Sequence, residues 1–245
     1  MYDHVKLIDG SHWQAHVPWE KLLEHGWVSF YAKADNKTAE HFTNATKAGY
    51  KRRGIYIWHD PTLTVDHNIS KAVDYNKTFD PEYLVLDIEH WWASWSEWWM
   101  AIYGKASWSS IKRIPGNKIS SHAKQVAEGI ARIGKPLFIY SAKWFIDAYS
   151  SQLNEWIGDY PYINADYSSV PAGKRCSWEE LNYYAATVGY SNYLPSGVEK
   201  EDIRQFADKL IVEETNDAYD LNIFFGTLEE FDRKIGLITE ESKEL

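Results

Sequence analysis

What most constrains the fold of this chain is a repeated alternation of short apolar runs with longer segments of helical periodicity. The alternation crosses the sequence without a Pro- or Ser-rich linker or a shift in composition. VKLID (Val5 to Asp9) reads as a short buried strand. The polar turn GSHWQ follows, then a helix opened by Pro18, whose fixed φ suits a first helical position. WVSFYAKA (Trp27 to Ala34) is a second strand, and AEHFTNATKAG (Ala39 to Gly49) a helix ended by glycine. GIYIWHD (Gly54 to Asp60), a helix over Asp66 to Asn76, and YLVLDIE (Tyr83 to Glu89) continue the pattern. The unbroken apolar start of YLVLDIE fits a strand buried on both faces, as in parallel sheets. Beyond residue 116 come an amphipathic helix (Ser120 to Ile133), LFIY (Leu137 to Tyr140), a helical stretch (Trp144 to Trp156) and YINADY (Tyr162 to Tyr167). DIRQFAD (Asp202 to Asp208), AYDLNIFFG (Ala218 to Gly226) and a short charged helix complete it. Cys176 to Tyr190 reads either as a helix followed by a short strand or as an irregular aromatic loop.

Seven or eight short strands separated mainly by helices favour an α/β chain folded as a single irregular (β/α) TIM-like barrel over residues 1–245. An open doubly wound sheet is the competitor. It would need fewer strands, and the glycine-rich turn that often marks it is missing, since I-D-G-S-H offers one glycine after the first strand.

The formal net charge of −9 argues against a generic binder of nucleic acid or of anionic membranes. Cys176, the one cysteine, allows neither an internal disulfide nor a multi-thiolate metal site. No run has the length and apolarity of a transmembrane helix, and MYDHVKLIDG lacks the basic and apolar regions of a signal peptide. With 13 Trp and 17 Tyr beside 9 Phe, amphipathic rings are in excess, as expected for an aromatic-lined surface as well as a core.

In a barrel, chemistry gathers at the carboxyl ends of the strands. Acidic residues fall there repeatedly: Asp9, Asp35, Asp60, the pair Asp87 and Glu89, and Asp166. Strand alternation puts Asp87 and Glu89 on one face while Ile88 points away. Residues two apart start roughly 6.6 Å apart along a strand, from which flexible carboxylates can straddle a glycosidic bond. Mutual repulsion and burial should raise one pKa and leave a protonated donor beside an ionised partner. Glu89, with the longer reach and nearer the open end, is assigned the proton. The plain alternative is a strand-end pair that caps a helix or binds a lysine.

The segment Trp91 to Gly116 interrupts the rhythm, with Trp91, Trp95, Trp98 and Trp99 at i, i+4, i+7 and i+8, a helical stripe. It reads either as packing for an extra helix or as an aromatic wall beside a ligand cleft. His59 and His90 flank the expected mouth.

Taken together these segments resemble the glycoside hydrolase family 25 lysozymes, the Chalaropsis-type muramidases. The resemblance rests on LIDGSHWQ (Leu7 to Gln14), FYAKA (Phe30 to Ala34), GIYIW (Gly54 to Trp58) and LVLDIE (Leu84 to Glu89). It continues through FIYSAKW (Phe138 to Trp144), INADY (Ile163 to Tyr167), IRQFAD (Ile203 to Asp208) and YDLNIF (Tyr219 to Phe224), in family order over nearly the whole chain. It implies an irregular barrel that cleaves the β-1,4 bond between N-acetylmuramic acid and N-acetylglucosamine in peptidoglycan, with no metal or other cofactor. By the same resemblance Glu89 is the general acid. Asp87 is its partner, stabilising an oxazolinium-type intermediate formed by the substrate's acetamido group, and Asp9 and Asp220 orient or polarise the cluster. Tyr56, Tyr140, Tyr167 and Gln205 match groove-lining positions, with Trp58 an addition. The implied place of action is the cell wall or extracellular space, with a phage or bacterial carrier left open.

The chain departs from the family where K-A-T-E-G is usual, reading Lys33-Ala-Asp-Asn-Lys with Asn36 in the glutamate position. Its insertion after the D-x-E strand is also longer and could lengthen the groove, block it, or contact a protein or glycan. These two features motivate the alternative of a non-catalytic carbohydrate-binding or structural module on a glycosidase scaffold. A metal-dependent reading rests on His12-x-x-x-His16 with Asp9, but Pro18 argues against a long helix there.

Overall fold

The computed structural model describes residues 4–14, 16–170, 173–215 and 218–238. Nine strands form one sheet: β1 (Val5–Gly10), β2 (Trp27–Lys33), β3 (Arg52–Trp58), β4 (Tyr83–Asp87), β5 (Leu137–Ser141), β6 (Tyr162–Ala165), β7 (Arg175–Cys176), β8 (Ile203–Val212) and β9 (Ala218–Phe224). From β1 to β6 each strand lies parallel beside the next; β6 then pairs with β8, β8 with β9 and β9 with β1, closing an eight-stranded barrel. β7 adds two residues to the outer part of β8.

Closure departs from a fully parallel barrel at β9, which runs antiparallel to both neighbours. The cause is local. Only residues 213–217 separate β8 from β9, and a parallel return needs a crossover of about a dozen residues or more. The hairpin brings the start of β9, not its end, to the rim where the parallel strands finish, and Asp9 pairs in register with Asp220.

Helices α1 (Trp19–Glu24), α2 (Thr38–Ala48), α3 (Val65–Phe79), α4 (Trp95–Ile102), α5 (Gly116–Ala131), α6 (Lys143–Tyr149), α7 (Trp178–Thr187) and α8 (Leu228–Lys234) accompany the strands. Their ends follow sequence chemistry. Gly49 closes α2 at φ 100°, a conformation that a Cβ disfavours. Ser177 with Glu180 and Thr227 with Glu230 form reciprocal capping boxes that satisfy the first amides of α7 and α8. The ambiguous stretch from Cys176 is thus a capped helix that a two-residue strand precedes rather than follows.

The core has two layers. Val85 and Leu86 of β4 and Phe138 and Ile139 of β5 are fully buried, with Val85 on the groove side of its strand, and α5 contributes the buried Ile119, Ala123, Val126, Ala127 and Ile130 to the outer layer. At Gly129 a Cβ would lie 2.1 Å from Ile69 Cδ1, so glycine permits α3 and α5 to meet closely. Among the described residues no helix is long and apolar enough to cross a membrane.

The tryptophan stripe departs from a continuous helix. Ser94 caps α4, accepting from the Glu97 amide, so Trp91 and Trp92 precede the helix and are buried. A bridge between Trp92 and Arg113, with Ile114 N donating to Trp91 O, folds the insertion back on itself. Trp95, Trp98 and Trp99 remain on the open side of α4, so the segment supplies packing with one part and a wall with the other.

Candidate active site

The strand ends surround a groove of about 360 Å³. Asp9 comes from β1, Tyr56 and Trp58 from β3, Asp87 from β4, Tyr140 from β5, Gln205 from β8 and Asp220 from β9. Glu89 lies two residues past β4, and Tyr167 two residues past β6. The nine residues that the family resemblance assigns to catalysis or substrate binding all line this one groove. The backbone stays paired beyond the end of β4, with Ile88 N donating to Tyr140 O, so Ile88 is fully buried while the two carboxyls face the groove.

Gln205 organises the floor. Its Nε2 donates to Asp9 Oδ2 at 2.7 Å, and its Oε1 accepts from the hydroxyls of Tyr140 at 2.8 Å and Tyr167 at 2.5 Å. Asn222 Nδ2 also donates to Asp9 Oδ2 at 2.9 Å, and its Oδ1 accepts from Tyr31 Oη at 2.7 Å. Asp9 is therefore held from two sides by amides whose own orientations are fixed by tyrosines. The network spans five strands.

Electrostatics separates the carboxyls from ordinary surface acids. Burial raises Asp9 to about 6, against the hydrogen bonds from Asn222 and Gln205. Burial, then the charge of Asp9, lifts Asp220 well above the usual carboxylate range. Asp87 is likewise raised by burial and by repulsion from Glu89, with Lys33 opposing. Glu89 is pushed up to about 7 by burial, with the Lys33 charge and the Tyr140 hydroxyl opposing. Asp87 is buried, whereas Glu89 keeps partial access to solvent. The arrangement holds a proton near neutrality on a carboxyl that an incoming group can reach, beside a second, shielded carboxyl. That suits general-acid chemistry.

The other acids named from strand ends go elsewhere. Asp35 accepts from the Lys37 amide and pairs with His12 Nδ1 at 3.1 Å, and Asp60 accepts from the Thr62 amide and from Trp95 Nε1. Asp166 accepts from Ser191 and the Ser168 amide, away from the groove. His12 is thus directed to Asp35, while Asp9 is directed to Gln205 and Asn222. His59 and His90 are buried rather than at the mouth, His59 against His122 and His90 against the Trp92 carbonyl. Among the described residues no group of three His, Cys, Asp or Glu side chains is arranged to hold a metal ion.

Sequence reasoning missed seven groove residues: Ser11, Trp13, Tyr31, Lys33, Val85, Trp144 and Asp208. Tyr31 and Lys33 carried a signal, being two apart at the end of β2 and so on the face shared with the groove. Lys33 Nζ sits 4.6 Å from the Trp58 ring centroid, which keeps its cation beside the carboxyls. Trp13 and Trp144, 71% and 48% exposed, stand at the rim, where no strand pattern announces them.

Comparison with solved structures gives the class to which this architecture belongs. The muramidase from Trichobolus zukalii matches at a TM-score of 0.66 and 19% identity, over 96% of this chain and 100% of that one. The family GH25 lysozyme from Aspergillus fumigatus matches at 0.66 and 20%, over 95% and 99%. The bacterial lysozyme from Streptomyces coelicolor matches at 0.65 and 21%, over 97% and 98%. The sequence matches no family profile and no curated protein. The chain has the fold of the family 25 lysozymes, end to end over its barrel.

Proposed function

We propose that this protein is a muramidase that hydrolyses the β-1,4 bond between N-acetylmuramic acid and N-acetylglucosamine in peptidoglycan. The observation that carries the reading is the convergence of Asp87 and Glu89 in one aromatic-lined groove, with Glu89 holding a proton up to about 7. The solved structures that share the fold, described as muramidases and lysozymes, support it.

Glu89 donates its proton to the glycosidic oxygen as the bond breaks, and its partial exposure lets the leaving sugar reach it. Asp87 Oδ1 is a buried acceptor without a hydrogen-bond partner, a costly arrangement that an N–H donor from substrate would relieve. A sugar acetamido N–H has that chemistry. With its N–H held by Asp87, the acetamido oxygen attacks the anomeric carbon and forms a cyclic cation, which Asp87 stabilises. Glu89, now ionised, takes a proton from the water that opens the ring. Asp9, held by Gln205 and Asn222, and Asp220 beside it polarise the pair through their charge, which favours a proton on it. Tyr56, Trp58, Tyr140, Tyr167 and Gln205 line the path of the sugar. Action follows on wall material outside the cell or exposed by lysis.

The test compares wild type with Glu89→Gln on purified peptidoglycan, following new reducing ends and bound protein. Release that falls by about 10²–10⁴-fold while binding persists is expected. Equal release removes Glu89 from the mechanism. Binding without release by the wild type would favour the alternative of a non-catalytic carbohydrate-binding module.

A further inference from the structure

We propose that the Trp-rich insertion builds a second saccharide pocket continuous with the groove, and that it seats a further, carboxylate-bearing sugar of the same glycan strand. The proposal rests on the muramidase reading and names how that site holds a long substrate. A pocket of about 490 Å³ lies between α4 and the start of α3. Trp13, Lys33 and Trp58 line both this pocket and the groove, so a strand leaving the carboxyls passes directly between these shared walls.

The walls are fixed before any ligand arrives. Trp92 and Trp98 stack at 4.7 Å between centroids, and Trp95 meets both edge-on. Trp95 Nε1 donates to Asp60 Oδ2 at 3.2 Å, and the Lys112 amide donates to Glu97 Oε2 at 3.0 Å, tying both sides of α4 down. Rigid indole faces present area at small entropic cost, and a pyranose offers an apolar face of C–H groups to lay on them.

A purely apolar partner does not fit the opposite wall. Asn68, Lys71 and His67 of α3 line it, with Lys33 across from them. Lys71 and Lys33 are close enough to repel; of the two carboxylates that offset them, Asp35 lies outside the pocket lining, while Asp60 lines it with Oδ2 taken by Trp95 Nε1. Two cations beside stacked indoles in an otherwise acidic chain complement a sugar that carries a carboxylate. On a peptidoglycan strand that carboxylate comes from the lactyl ether or from a stem peptide.

The experiment measures binding to Glu89→Gln by calorimetry. Its probes are tetra- and octasaccharide strands of peptidoglycan, peptide-free and peptide-bearing, and chitin oligosaccharides of the same lengths. The octasaccharide is expected to bind about tenfold more tightly than the tetrasaccharide. Adding Trp99→Ala, at a half-exposed ring outside the groove, should erase that gain and leave tetrasaccharide affinity unchanged. Lys71→Met should remove the advantage of the carboxylated octasaccharide over chitin octasaccharide. A larger gain with peptide-bearing strands assigns the carboxylate to the stem peptide, and a larger gain with peptide-free strands assigns it to the lactyl group. Equal affinity at both lengths, a length gain that survives Trp99→Ala, or chitin binding as tightly as the carboxylated strand overturns the proposal. Glu89-dependent cleavage without a length gain sinks the pocket alone. A Trp99-dependent length gain without cleavage by the wild type sinks the muramidase reading alone.

Discussion

Replacing Lys33 with methionine keeps a flexible apolar stem and removes a cation that opposes the rise of both Asp87 and Glu89. Its ammonium is held over Trp58 at 4.6 Å and over Tyr56 at 5.8 Å, so the charge has a fixed place in the groove. An opposite charge within about 4–6 Å shifts a carboxyl by about 1–3 pKa units. Lys33 is only half-buried, and solvent screening brings the expected shift to the low end, about one unit. The sign follows from the role assigned to Glu89. It must be protonated to act, so activity falls as pH rises through its pKa of about 7. Lys33→Met stabilises the neutral acid, and the alkaline limb of kcat/KM should move up by about one pH unit. The assay is kcat/KM on soluble glycan strands across the pH range at constant ionic strength. A uniform loss of kcat/KM with the limb unmoved, or a limb moving down, would refute the electrostatic account, because weakened binding alone lowers the curve without displacing it.

Glu89→Gln should melt higher than wild type at alkaline pH and not under acid conditions. With its folded pKa raised from 4.5 to about 7, the group's stabilisation is complete below 4.5 and is lost as pH climbs through 7. After discounting for partial exposure, the difference is about 1–2 kcal/mol, or about 3–6 °C by calorimetry near pH 8. Gln205→Ala leaves Asp9, Tyr140 and Tyr167 without their common partner, and steady-state kinetics should show kcat lower by about 10- to 100-fold. An unchanged kcat would mean that Asp9 needs no such support. Gly54→Ala would place a Cβ 2.5 Å from the Tyr83 ring and 2.8 Å from Tyr31 Cβ, so it should destabilise by about 1–3 kcal/mol, read as a lower denaturation midpoint.

Much of this molecule is legible in the sequence because strand alternation is strict. YLVLD is buried at every position, which the apolar run announces, and the same period places Asp87 and Glu89 on one side of Ile88. Applied to FYAK, the argument would also have delivered Tyr31 and Lys33. Applied to YDLNIF, it links Asp220 to Asn222, which reaches Asp9. The direction of β9 follows from a connection too short for a helix, a signal present in the spacing but hidden by the expectation of uniform alternation. What local pattern cannot carry is the destination of a side chain on an irregular rim. Asp35, Asp60 and Asp166 occupy strand-end positions much like Asp9, yet each is taken by nearby amides or hydroxyls. Trp91 sits at helical spacing from Trp95, but the Ser94 cap starts the helix later and sends Trp91 inward to stack on Tyr149.

The most direct measurement identifies the sugar ends released from peptidoglycan. Digests by wild type and by Glu89→Gln are reduced with borohydride, hydrolysed and analysed by mass spectrometry. Reduced muramic acid that accumulates with the wild type and stays at background with Glu89→Gln is the predicted result. Reduced glucosamine in its place, or muramic acid ends released equally by both proteins, would contradict the assignment of bond and acid.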